Sequence, residues 1–199
     1  INYSTHSGNP DTTYKALASN KLSVTVIGMD GSTLKNQSFT IADIENIIYG
    51  SDVKNTEKVK AEVKAFYGVK KGDNVYSDLY EGVDLDYFLK EKVQIPGSKG
   101  TITFTSDDSE LKVSLDQIFA AKGKSILAFA KNGSPMVADK NAKGYVSSYI
   151  DGAGEKVNVK NAGGPLAILM PEAKSLTNVT SITIRSEERR VGKECRSRW

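Results

Sequence analysis

Two pairs of close carboxylates, a run of tyrosines and one stretch resembling a calcium loop are the residues of this chain whose types and spacing could do chemistry. Asp84 with Asp86, and Asp107 with Asp108, could divide acid and base roles if their surroundings separated their pKa values. Both pairs fall at turns or helix starts, where aspartate is common as a cap, and capping is the plainer reading. In Asp139–Lys140–Asn141–Ala142–Lys143–Gly144–Tyr145 the oxygen donors Asp139 and Asn141 alternate and Gly144 stands sixth, as in a calcium loop. Lys143 holds a ligand position there and Ile150 stands where the bidentate Glu belongs, so a polar turn explains the segment more simply. Tyr76, Tyr80, Tyr87, Tyr145 and Tyr149 could form a surface for glycan or peptide; half-buried packing with wet hydroxyls is the simpler account. His6 is the only histidine and has no second imidazole with which to share a metal.

Cys195 and Trp199, each the only residue of its type, belong to a segment that needs separate treatment. Arg185 to Trp199, RSEERRVGKECRSRW, matches without a gap the in-frame translation of a common short-read sequencing adapter. The segment that specifies the fold is therefore expected to end at Ile184, as it would before any fusion scar. Removing the tail's six Lys or Arg and three Glu from the chain's 27 and 24 leaves 21 of each. The net charge of +3 then falls to zero, and with it any argument for an electrostatic nucleic-acid footprint. Residues 1–184 offer no cysteine for a disulfide, a nucleophile or a metal. Such a segment also buries too little apolar surface to offset its ordering entropy, so it is expected to add nothing to the fold.

The remainder is long enough for one domain with a real core, and no run of about eighteen apolar residues is present to span a membrane. Residues 1–20 are polar and read as a linker from a preceding domain; residues 21–184 read as the domain itself. Leu22, Val24 and Val26 alternate as on a one-sided strand, and Gly28–Gly31 supplies a turn. Phe39–Tyr49 predicts a helix, with Thr40 as N-cap, Asp43 completing a capping box and Ile41, Ile44, Ile47 and Ile48 as the apolar stripe. Lys58–Val69 reads as extended. Leu85–Val93 predicts a short helix facing inward with Leu85, Phe88 and Leu89. Strands follow at Thr101–Thr105 and Leu111–Val113, then a short Ser114-capped helix with Leu115, Ile118 and Phe119, and a buried strand at Ser125–Ala130. Asn132–Gly133 marks a tight turn. Residues 139–164 read as a long hairpin or functional loop with a strand at Lys156–Val159, and Leu166–Met170 and Thr180–Ile184 close the domain. The irregular mixture, without repeating βαβ order, predicts an α+β fold with mixed or antiparallel sheets and short helices.

Six short motifs in this order resemble the molybdopterin-binding domain of the sulfite oxidase family. LYEGVDLDYFL (Leu79–Leu89) is similar to its Gly-Val-x-Leu segment opening a helix, and TITFTSDD (Thr101–Asp108) to its strand ending in a Ser-x-Asp turn. VSLDQIF (Val113–Phe119) resembles the next helix, LAFAKNGSPMV (Leu127–Val137) the strand and Asn-Gly-x-Pro-Leu turn, and GGPLAILMP (Gly163–Pro171) the Gly-Pro-Leu-Arg strand. NVTSITI (Asn178–Ile184) would be the closing strand. The resemblance covers about residues 22–184 and implies the sulfite-oxidase-like fold.

It also implies where chemistry would sit, and there this chain departs from the family. Enzymes of the family bind molybdenum through a cysteine thiolate upstream of the Gly-Val-x-Leu segment; Glu62–Tyr80 contains no cysteine. The arginine after Gly-Pro-Leu is Ala167 here, and Thr177 and Asn178 stand about where the family has Lys-Trp. Charge-assisted contacts to an anionic cofactor are lost with those residues. The resemblance, closest to variants found as tandem modules of secreted bacterial proteins, thus implies a non-catalytic structural or binding module. Neighbouring domains of the same chain and an extracellular partner are then expected, with no nucleic acid, no membrane insertion and no cofactor. The chain opens on Ile1 and reads as a fragment, with Ile1 suggestive of a preceding copy's closing strand. The alternative is a molybdopterin-binding redox domain of a multi-domain oxidoreductase, with its thiolate missing or supplied by a neighbour.

Overall fold

The computed structural model describes residues 21–121, 123–131, 134–135, 148–150, 156–158, 166–172 and 174–188. The expected linker with His6, the Asn132–Gly133 turn, the calcium candidates Asp139 and Asn141, Tyr145, Cys195 and Trp199 lie outside the described residues.

The chain enters in β1 (Lys21–Ile27), whose alternation buries Leu22, Val24 and Val26 completely. Asp30 closes the following turn by accepting from the Ser32 backbone N–H at 2.9 Å, and Gly31 takes the left-handed φ of 82° that glycine tolerates. β2 (Thr33–Thr40) returns antiparallel along β1. It escapes the hydrophobic pattern because only Leu34 and Phe39 pack against the core while Lys35, Asn36, Gln37 and Ser38 separate them. Helix α1 (Ile41–Tyr49) begins where expected: the Thr40 hydroxyl accepts from the Asp43 N–H at 3.0 Å, and the Asp43 carboxylate accepts from the Thr40 N–H at 2.8 Å. Its isoleucines all turn into the core.

The expected extended stretch at Lys58–Val69 is corrected in its first part. Asn55–Ala61 is helix α2, and β3 (Glu62–Lys71) begins only after it. Helix α2 buries Ala61 alone and leaves Val59 80% exposed, so it carries no apolar stripe for a periodicity argument to find. β3 then forms a ten-pair hairpin with β4 (Asn74–Asp84). The short helix after β4 is α3 (Leu85–Tyr87), prolonged by a π-helical turn (Phe88–Val93); Leu85, Phe88 and Leu89 are buried as expected. β5 (Gly100–Thr105), β6 (Glu110–Ser114) and α4 (Leu115–Ala120) follow, the last opened by a Ser114–Gln117 capping box. β7 (Ile126–Lys131), β8 (Ser134–Pro135), β9 (Ser148–Ile150), β10 (Lys156–Asn158), β11 (Ala167–Leu169), β12 (Ser175–Thr177) and β13 (Ser181–Ser186) complete the order. β9 and β10 pair antiparallel, which gives the stretch around Lys156 a hairpin pairing.

The fold is mixed α+β, with two mostly antiparallel sheets and few short helices. The first sheet runs β2-β1-β13-β5-β6 and contains one parallel pair, β1 with β13. The second runs β12-β11-β7-β4-β3, with β8 added to β7. One continuous apolar core joins α1, α3, α4 and the facing sides of both sheets, from Leu22 through Phe88 and Phe104 to Ile184. A smaller cluster of Val63, Ile126, Ala128, Ala167 and Leu169 covers the other face of the second sheet. No helix among the described residues is long and apolar enough to cross a membrane.

The closing strand does not stop at Ile184. Arg185 and Ser186 continue β13 against Thr101 and Gly100, the Glu187 N–H donates to the Lys99 carbonyl at 3.1 Å, and the Ser98 N–H donates to Glu188 at 3.2 Å. The first four residues of the foreign-looking tail thus take part in the fold, against the expectation that none would. Strand pairing is a backbone interaction, so whatever follows Ile184 inherits the open slot beside β5 regardless of its side chains.

Candidate functional site

Among the described residues, the second sheet and the helix after it carry four of the five buried carboxylates; the fifth, Glu45, lies in α1. Asp78, Glu81 and Asp84 lie along β4 and Asp86 follows in α3, all under 9% exposed. A strand points successive side chains to opposite faces, so these acids serve two different surroundings.

Glu81 faces the main core in register with Lys64 of β3 and with Val83 two residues on. It is fully buried, accepts a hydrogen bond at Oε1 from the Tyr49 hydroxyl of α1, and lies 3.8 Å from the Lys64 ammonium. Lys64 also meets Glu62 at 3.2 Å and reaches solvent. The local geometry rests on Gly82: a Cβ there would stand 2.6 Å from the Ala128 Cα and closer still to the Leu127 carbonyl oxygen. The pairing of β4 with β7 slips by one residue at this point, leaving Phe129 as the extra residue of a bulge, and Phe129 packs edge-on against Tyr49 at 6.2 Å. A buried carboxylate held by a phenol and an ammonium can share a proton or fix an orientation; it touches no open cleft through its own surface.

Asp84 and Asp86 border a shallow groove of about 510 Å³ together with Lys60, Glu62, Lys64, Tyr87 and Lys90. Their chemistry is committed locally. Asp84 caps α3 by accepting from the Asp86 N–H at 3.2 Å, and Asp86 pairs with Lys90 one turn on at 2.7 Å. Lys90 also lies 4.5 Å from the centre of the Phe119 ring. Across the groove the Tyr87 hydroxyl donates to Glu57 at 3.2 Å. Burial first, then that hydrogen bond and the charges of Glu57 and Glu91, raise the Tyr87 phenol above its ordinary value. The other pair is equally occupied: Asp107 accepts from the Asn178 amide at 3.1 Å and Asp108 from the Ser106 hydroxyl at 3.3 Å. The structure therefore keeps each carboxylate pair together, one at the helix start and one in the β5–β6 turn, in the positions where capping was the plainer reading.

The tyrosines divide. Tyr80 packs edge-on against Tyr67 at 5.8 Å on the far face of the second sheet, and Lys131 lies 5.7 Å from its ring centre and 3.4 Å from Asp78. Tyr67 donates to the Lys124 carbonyl at 2.6 Å, and burial raises its phenol to about 12. Tyr87 belongs to the groove instead. Tyr80 and Tyr87 thus share no single surface, while the side chains of Tyr76 and Tyr149 lie outside the described residues.

Sequence reasoning missed Tyr49, Glu81 and Lys131 as members of polar contacts. A signal for Glu81 exists in Leu79–Glu81–Val83, where an acid occupies an apolar strand face; it is intelligible only once Tyr49 is known to lie above it. Among the described residues, no group of three or more His, Cys, Asp or Glu could hold a metal ion. Ala167 is fully buried and packs with Val63, Ile126, Ala128 and Leu169 in an apolar cluster. No protein-family model and no curated protein matches the chain.

Proposed function

We propose that this chain is a non-catalytic structural or binding module of a larger extracellular bacterial protein, built on the sulfite-oxidase-like fold. The observation that carries the reading is the position of Ala167. In the resembled family an arginine there would meet an anionic cofactor; here the residue is sealed into an apolar cluster, and an arginine would need about 3–5 kcal/mol of compensation for its buried charge. The lack of cysteine between Glu62 and Tyr80 and the commitment of both aspartate pairs to capping and turn contacts support the same reading. Its role is to pack against neighbouring domains or to present a surface, and its charged groups serve the fold.

Expression in a host that makes the molybdenum cofactor tests this directly. Elemental analysis of the purified chain should give molybdenum far below one atom per chain, and denatured protein should release no pterin fluorescence. Stoichiometric molybdenum accompanied by pterin would overturn the proposal in favour of a redox domain.

A further inference from the structure

We draw no further inference here: the strongest candidate, the edge of the second sheet at β3 with Phe66 70% exposed at its middle, carries nothing because the strand's own charged residues blunt that edge and nothing in the structure shows what covers it.

Discussion

The two sheets bury different things. Among the described residues, the strands of the first sheet contribute no buried carboxylate: β1, β5 and β13 turn Leu22, Val24, Val26, Ile102, Phe104, Ile182 and Ile184 inward. The second sheet carries Asp78, Glu81 and Asp84 on one strand, with a bulge opposite and a glycine where two backbones nearly touch. The first is held by non-directional burial, which many apolar side chains could supply. The second depends on particular partners, because a buried polar group that loses its partner keeps its desolvation cost. Local chemistry in this molecule is therefore concentrated where the packing is least forgiving.

Removing β13 gives the largest effect that could break this contrast. Ile182 and Ile184 each stabilise the core by about 1.5–3 kcal/mol, and their strand lies between β1 and β5. A chain ending at Thr180 should show no cooperative thermal transition by circular dichroism. A chain ending at Ile184 should fold and lose about 1 kcal/mol, the worth of the pairs made by Arg185 and Ser186. An undiminished melting temperature at Ile184 would mean that those pairs contribute nothing.

In the second sheet, Gly82→Ala should cost about 3 kcal/mol in chemical denaturation, since the added carbon meets backbone that cannot rotate away. A cost below about 1 kcal/mol would show that the bulge at Phe129 yields, and that this sheet is no more exacting than the first. Tyr49→Phe should cost about 1–3 kcal/mol by depriving Glu81 of its donor, and Tyr49→Phe with Glu81→Leu should recover part of the loss. Additive losses in that cycle would place the two residues out of contact. For comparison on the first sheet's side, Thr40→Ala should cost about 1 kcal/mol through loss of the capping box, with little dependence on its surroundings.

The smallest effect is a pH dependence carried in the second sheet by Tyr67. Tyr67 is raised by burial from 10.0 to about 12, so its folded state holds the proton more tightly than the unfolded chain does. Its contribution is fully present below pH 10.0 and is lost as pH rises through about 12. Tyr67→Phe should flatten stability across that window, and ultraviolet difference absorbance should lose one late-titrating phenol. An unchanged slope would assign the alkaline loss to other groups.

Much of the first sheet and its helices was legible in the chain itself. Leu22, Val24 and Val26 alternate because one face is wet, and Thr40 with Asp43 announces α1 because both donors and acceptors of a helix start are local. β2 and α2 were not legible, since neither carries a regular apolar period: β2 packs only Leu34 and Phe39, and α2 only Ala61. Of the candidate site, the aspartate pairs and their capping positions could be read from neighbouring residues. The Glu81–Tyr49–Lys64 contact could not, because its members come from three elements and are 15 to 32 positions apart along the chain in β3, β4 and α1, with Tyr49 and Glu81 separated by 32.

By itself the sequence determined the α+β character, the helix starts at Thr40 and Ser114, the inward face of β1, the buried character of β7, and the lack of a thiolate before Ile184. These follow from residue type and short spacing, which are properties of the chain before it folds. Only the tertiary structure decided that β13 threads between β1 and β5, that Ala167 is sealed among apolar side chains, that Glu81 is buried against Tyr49, and that β3 is left at an edge with Phe66 exposed. Each of those is a contact or an exposure set by chain segments far apart in sequence, and burial is defined by the neighbours that arrive and by the side of the sheet left without one.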